Sequence, residues 1–320
     1  VRRRTFIYST LAGATVATGV LGCWAKFSSN RSARWLRKLA ADNRRAILPN
    51  PHTPTPLSWS DQDITLAWLG HATVLINFYG IKILTDPTLL PRVGFSLGLG
   101  TIGPKRYIQP ALAFKALPWV DVVLLSHAHM DHLDLPSLRL FSANTIAVSA
   151  RDTSDLIRQT RIRKVTELGW GERTTFQKGS GTLEIEAFEV KHWGERWPSE
   201  KPRGYNGYIL RREGRAILFG GDTANTPHFR ALRSRGPFEV GLMPIGAYQP
   251  WIRNHCTPEE ALEMANAAGA KYLVPIHHQT FKLSEEPMEE PLQRMQAALA
   301  GEPERLALAE IGATFRCPKA

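Results

Sequence analysis

Cysteine is scarce in this chain. Its 320 residues include three, Cys23, Cys256 and Cys317, which is too few for a disulfide framework, and there is no Cys-x-x-Cys pair to bind metal through thiolates. Long apolar runs are also missing: the stretch Ile7 to Leu21 is only weakly apolar and falls short of the roughly 20 residues a comfortable membrane-spanning helix needs. Acidic residues are in deficit, 29 against 40 Lys and Arg, for a formal charge of +11. Arg2, Arg3 and Arg4 carry three of these charges, leaving +8 on the rest. That balance favours anionic partners such as phospholipid headgroups or another small anionic substrate. No arginine-rich tract is interleaved with aromatics, so a nucleic-acid partner is not expected.

What the chain does contain begins with an ordered N-terminus. A basic cluster, a short apolar stretch and the small residue Gly22 precede Cys23, the order of an export signal. Arg3-Arg4-Thr5-Phe6-Ile7 is similar to twin-arginine signals, and Val20-Leu21-Gly22-Cys23 to a lipoprotein processing box. The expectation is an exported protein of the cell envelope, periplasmic or membrane-anchored, with Cys23 lipidated or residues 1–23 retained as an anchor. Cys256 and Cys317 are then two free thiols or one pair. Residues 24–59 read as a basic and then proline-rich spacer, with a short amphipathic helix over Ser32 to Arg45. Residues 60–320 read as the catalytic domain.

The chemistry concentrates after the apolar run Val122-Val123-Leu124-Leu125. Ser126-His127-Ala128-His129-Met130-Asp131-His132-Leu133-Asp134 places three imidazoles and two carboxylates at the mouth of an expected buried strand. A solvated loop has no reason to repeat strong metal ligands so tightly, whereas neutral imidazole and carboxylate are the usual donors to zinc and related divalent ions. Residues two apart on an extended turn point the same way. His127 and His129 can therefore share one ion while Asp131 and His132 turn toward a second.

The same grammar recurs along the chain. Expected strands at Ile64–Leu69 and Ile81–Thr85 lead to His71 and Asp86, the latter a candidate acceptor for a ligating imidazole. The alternating stretch Leu183–Val190 reads as a half-buried strand leading to His192. A hairpin through Arg212-Glu213-Gly214 leads to Asp222, and Tyr272–Ile276 leads to His277. Thr257-Pro258-Glu259-Glu260 is a capping box with proline at the first helical position, opening a helix that Gly269 stops. His255 and Tyr248 precede it, on the expected approach to the site. Arg92 to Gly103 is a glycine-punctuated apolar loop, read either as folding back on the core or as contacting a lipid chain.

In that order, His127-x-His129-x-Asp131-His132, His192, Asp222 and His277 resemble the dinuclear metal set of the metallo-β-lactamase superfamily. Trp68-Leu69-Gly70-His71-Ala72-Thr73, Thr85-Asp86-Pro87, Gly220-Gly221-Asp222-Thr223 and Pro244-Ile245-Gly246-Ala247-Tyr248 are similar to segments of its N-acyl-phosphatidylethanolamine-hydrolysing phospholipase D branch and bacterial relatives. The resemblance runs from about Trp59 to the C-terminus. It implies an α/β fold, the αβ/βα four-layer sandwich, and two zinc ions, with iron or manganese as chemical alternatives. One ion would take His127, His129 and His192, the other Asp131, His132 and His277, with Asp222 bridging. Asp131 would orient the attacking water and His255 would protonate the leaving alcohol. One departure is visible: His278-Gln279 precede Thr280-Phe281 where the branch has Trp-Gly, so the pocket wall is expected to differ. The implied activity is a zinc phosphodiesterase of phospholipase D type acting on (N-acyl)phospholipids. The alternative is a lactonase or acylase on the same site.

Overall fold

The computed structural model describes Arg37 and residues 42–96, 100–197 and 200–319. The export segment at 1–23, Cys23 and most of the helix expected over Ser32 to Arg45 lie outside the described residues. The chain divides into units Val1–Ala46 and Ile47–Ala320. In the first, Arg45 pairs with Asp42 at 2.6 Å. Among the described residues no helix is long and apolar enough to cross a membrane.

The second unit opens with strands β1 (Ile64–Gly70), β2 (Thr73–Phe78) and β3 (Ile81–Thr85). Tyr79 and Gly80, both with positive φ, make the two-residue turn that joins β2 to β3. A small hairpin follows, β4 (Phe95–Ser96) with β5 (Thr101–Ile102), within the loop expected over Arg92 to Gly103. Then come β6 (Val122–Leu125), β7 (Ile146–Ala150) and β8 (Lys164–Leu168), all parallel to β3. Short helices α1 (Leu135–Leu138) and α2 (Ser154–Ile157) follow β6 and β7.

The second half repeats the scheme. Strands β9 (Arg173–Lys178), β10 (Gly181–Phe188), β11 (Gly207–Arg212) and β12 (Arg215–Phe219) form an antiparallel run. After α3 (His228–Ala231), strands β13 (Phe238–Pro244) and β14 (Ala270–Ile276) continue it in parallel, with α4 (Pro258–Ala268) between them. Helix α5 (Glu290–Ala298) precedes β15 (Thr314–Arg316), which pairs with β1. Two mixed sheets result among the described residues, ordered β15-β1-β2-β3-β6-β7-β8 and β14-β13-β12-β11-β10-β9.

Strand alternation explains how the layers pack. Ile217 and Phe219 of β12 face a core shared with Leu66, Ile76, Val123 and Leu125 of the first sheet, while Leu218 between them faces outward. There it joins Phe229, Ala261, Met264, Ala265 and Met295 from α3, α4 and α5. Burial on both faces is why these strands read as continuous apolar runs. The capping box of α4 is present as the sequence predicts, Glu260 N–H bonding Thr257 Oγ1 and Thr257 N–H bonding Glu260 Oε2, and Gly269 ends the helix at φ +85°. Strand β10 departs from the half-buried expectation. Glu186 is only 1% exposed, and its carboxylate is bound by Arg211 and Arg235 at 2.8 and 2.6 Å.

The sheets are stitched together near the carboxyl ends of their strands. Tyr208 of β11 donates its buried hydroxyl to the Leu125 carbonyl at 2.9 Å, and Asn206 N–H donates to Ser126 O at 2.9 Å. That rim carries the site.

Candidate metal centre

Every expected metal-ligating residue of the domain, with His71 and Asp86, follows the carboxyl end of a strand. The first sheet contributes His71 after β1, Asp86 after β3 and the 127–132 segment after β6; the second contributes His192 after β10, Asp222 after β12 and His277 after β14. Residues spread over more than 200 positions therefore meet at one place.

Two donor groups share a border. His129 Nδ1 lies 2.8 Å from His127 Nε2 and 3.3 Å from His192 Nε2. Asp131 Oδ2 lies 3.5 Å from His132 Nε2 and 3.4 Å from His277 Nε2. Asp222 Oδ2 stands between the groups, 3.0 Å from His132 Nε2, 3.1 Å from His277 Nε2 and 3.8 Å from His192 Nε2. The donor atoms within His127, His129 and His192 all fall within 4.8 Å of one another, as do those within His71, Asp131, His132 and His277.

Outer hydrogen bonds fix which nitrogen faces inward in three of the rings, His127, His132 and His192. Asp86 accepts from His132 Nδ1 at 2.7 Å, from Ser126 Oγ at 2.6 Å and from Ser126 N–H at 2.8 Å. With its own proton committed to Asp86, the Ser126 hydroxyl accepts from His127 Nδ1 at 2.9 Å. His192 Nδ1 donates to the Asn254 carbonyl at 2.8 Å. Assigned from this network, the neutral rings of His127 and His192, and that of His132 once a metal replaces its proton, turn Nε2 lone pairs into the site. Such outer acceptors are what orient ligating imidazoles.

The donor set fits a divalent metal. His129 Nε2, His132 Nε2, His277 Nε2 and Asp222 Oδ1 are buried without a hydrogen-bond partner, and lone pairs aimed at a buried carboxylate repel unless a cation lies among them. Burial holds His127 and His192 well below the ordinary imidazole range and His129 down at about 4. They are therefore neutral and competent as donors at pH 7. Burial also opposes charge on His277, but the Asp222 carboxylate overrides it and lifts the ring to about 9. His132 is raised for the same reasons. There a proton or a metal cation answers the same carboxylates.

The remaining expected residues take distinct places. His71 is buried, adopts φ +53°, and reaches Asp131 Oδ2 with Nε2 at 3.0 Å. Its N–H bonds Thr280 Oγ1 at 2.6 Å and its carbonyl accepts from His277 N–H at 3.1 Å. His255 borders the site, Nδ1 being 3.9 Å from Asp222 Oδ2, and burial pushes it down to about 4. Tyr248 is not on the approach: its hydroxyl is tied to Glu290 at 2.7 Å. His278 stacks on Trp68 at 4.4 Å and lines a small void beside Gly246 and Glu286 rather than the main cleft.

That main cleft has a volume of about 600 Å³ and opens over His129, Asp131, Asp222, His255 and His277. Its other walls include Trp193, Trp197, Trp251, Leu283 and Arg196. The hairpin β4–β5 reaches it through Phe95, which packs on Trp197 at 3.9 Å between ring centroids. Sequence reading passed over Ser126, Asn254 and Arg196. Only Ser126 carried a signal, its place between the β6 run and the first histidine.

A two-sheet sandwich that gathers imidazole and carboxylate donors at one rim, beneath an open cleft, is a metal-dependent hydrolase. The model of the Beta-lactamase superfamily domain matches residues 82–278, and the chain belongs to the metallo-β-lactamase superfamily. It is 33% identical over 238 residues to N-acyl-phosphatidylethanolamine-hydrolyzing phospholipase D 1 of Caenorhabditis elegans, covering 70% of this chain and 66% of that one. The mitochondrial N-acyl-phosphatidylethanolamine-hydrolyzing phospholipase D of Saccharomyces cerevisiae is 28% identical over 283 residues, 84% of this chain and 60% of that one. The chain thus spans about two thirds or less of these relatives. Among solved structures, the metallo-hydrolase Igni18 of Ignicoccus hospitalis superposes with a TM-score of 0.59 at 20% identity, covering 80% of this chain and 99% of that one. That likeness establishes the fold.

Proposed function

We propose that the protein is a phosphodiesterase of phospholipase D type acting on (N-acyl)phospholipids, with zinc as the metal and iron or manganese as ions the same donors accept. The observation that carries this reading is the joining of a hydrolase donor set to an aromatic-walled cleft, in a chain 33% identical to a protein named for that reaction. His127, His129 and His192 would hold one ion and Asp131, His132 and His277 a second, with Asp222 shared between them. When bound, such ions polarise a phosphoryl oxygen and lower the pKa of water.

The chain's own residues do the rest. Asp131 keeps Oδ2 on His71 at 3.0 Å. Burial would raise its pKa, but the positive charge at His132, carried by its proton or by a metal in the proton's place, overrides this and the carboxylate stays ionised. Oδ1 is then the acceptor that orients the attacking water toward phosphorus. His255, neutral at pH 7 because it is buried, offers its N–H as a hydrogen bond to the leaving oxygen, which departs as the alcohol with the proton given up by the attacking water. Trp193, Trp197, Trp251 and Leu283 flank bound lipid and exclude water from the donors below. Delivery to the envelope by residues 1–23, lipidation at Cys23 and a spacer over 24–59 are part of the same proposal and rest on the sequence pattern alone.

The test is product analysis on a panel of phospholipids and N-acylphospholipids beside a panel of lactones and esters. Release of phosphatidic acid by wild type, abolished in His129→Ala, is the expected result. Turnover confined to lactones or esters would transfer the site to the carbonyl-hydrolase reading.

A further inference from the structure

Arg196 lines the same cleft as His129, Asp131 and Asp222. Its Nη1 donates to the carbonyls of Ala128 and Leu133, each at 2.8 Å. Those carbonyls bracket the segment that presents His129, Asp131 and His132, so the guanidinium is anchored to the site by one nitrogen. Its backbone N–H is held by Glu200 Oε2 at 2.8 Å. Glu200 forms no ion pair with the guanidinium, its Oε1 being taken by both Nε and Nη2 of Arg203, at 2.8 and 2.5 Å.

What remains of the guanidinium is unused. Among the described residues Arg196 forms no ion pair, and its Nε and Nη2 donate to no protein acceptor. The Nε–Nη2 edge is one of the two fork edges with which arginine meets carboxylate or phosphate oxygens in parallel. Burial lowers the pKa of this half-buried guanidinium, and Asp134, Glu200 and Asp131 offset that only in part, none of them forming an ion pair with it; an anion entering the cleft would offset the remaining desolvation cost. Among the described side chains lining the cleft it is also the sole permanent cation, alongside Asp131, Glu195, Glu200 and Asp222.

We propose that Arg196 is the anion-recognising residue of the cleft. Its Nε–Nη2 edge takes non-bridging oxygen of a singly charged phosphodiester, while Nη1 holds the 128–133 segment in register with it. The inference rests on the phosphodiesterase reading and adds to it a selection for charged over neutral esters.

The test compares metal-loaded wild type with Arg196→Met and Arg196→Lys. The substrates are bis-p-nitrophenyl phosphate, which is anionic, diethyl p-nitrophenyl phosphate, which is neutral with the same leaving group, and dihexanoylphosphatidylethanolamine. Loss of a charge-assisted fork should lower kcat/KM for both phosphodiesters by about 10- to 100-fold in Arg196→Met, with Arg196→Lys in between. With rates expressed per bound metal, so that any loss of the Nη1 anchor is discounted, the neutral triester should fall far less. A fall in both diesters assigns the contact to the phosphate that lipid and soluble substrate share. Equal losses per bound metal on charged and neutral esters, or no loss with the lipid, would overturn the proposal. If wild type cleaves none of the three, the phosphodiesterase reading fails by itself. Inorganic phosphate binding to the metal-loaded protein then decides for Arg196: a Kd weakened about tenfold in Arg196→Met supports it, and an unchanged Kd overturns it.

Discussion

Asp86 Oδ2 lies 2.7 Å from His132 Nδ1 and, by way of the Ser126 hydroxyl, one hydrogen bond removed from His127 Nδ1. A single buried carboxylate therefore sets the ring orientation of one histidine in each donor group. Asp86→Ala is expected to weaken metal affinity by about 10- to 100-fold, the usual effect of removing an outer acceptor. Ser126→Ala should weaken it less, and the double variant should add little to Asp86→Ala because both act through the same bonds. Competition against a chromogenic chelator measures all three. Equal and additive losses would mean that the network does not work through Asp86.

Removal of metal is expected to abolish hydrolysis, and zinc, manganese or iron(II) should each restore it to a different degree, since imidazole and carboxylate accept them all. Elemental analysis of the restored protein gives the number of ions. Full activity after exhaustive dialysis against a chelator would dismiss the metal reading.

Gly246 lies against the backbone of the His277 turn. A Cβ added there would sit 2.2 Å from the His277 carbonyl oxygen, a distance that requires the backbone to move. Gly246→Ala is therefore expected to cost about 1–3 kcal/mol of stability and to weaken metal binding with it. Thermal unfolding read beside metal affinity checks both. A change in stability alone would separate the turn from the site.

Asp134 supplies the pH prediction. Burial pushes its carboxyl up from 3.8 to about 6, although Ser137 hydrogen bonds act the other way. The folded chain then binds this proton more tightly than the unfolded chain does. The resulting destabilisation is absent below pH 4, grows between pH 4 and 6, and is complete above, reaching about 3 kcal/mol. Asparagine caps a helix about as well as aspartate. Asp134→Asn is accordingly expected to raise the unfolding temperature at pH 7.5 and leave it nearly unchanged at pH 3.5. An equal effect at both pH values would show that the carboxyl is not perturbed.

The donor residues were legible in the sequence because each follows an apolar strand, and buried strands announce themselves by composition. Val122–Leu125, Ala216–Phe219 and Tyr272–Ile276 all did so. Strands β8 and β9 did not, since Lys164–Leu168 and Arg173–Lys178 are the outer strands of their sheets and alternate with polar residues. Strand β13 is interrupted by Gly241, whose absent side chain makes room for Ala270. Arg196 and Asn254 could not be read from the sequence for a different reason. Their roles arise from contacts 63 to 68 and 62 residues away along the chain, which no local pattern encodes. Tyr248 read as lying on the approach to the site because it precedes the helix in the same loop as His255, yet its side chain turns to Glu290.

The first sheet supplies His127, His129, Asp131 and His132, and the second supplies His192, Asp222 and His277. Neither half can complete a coordination shell alone, so a bound ion would rivet the two halves of the sandwich across their seam. Occupancy would then be readable as heat resistance: free metal at a hundred times its dissociation constant adds about 2.7 kcal/mol to the folded state for each site filled. A melting curve recorded against metal concentration thus doubles as a binding isotherm, without any substrate in hand.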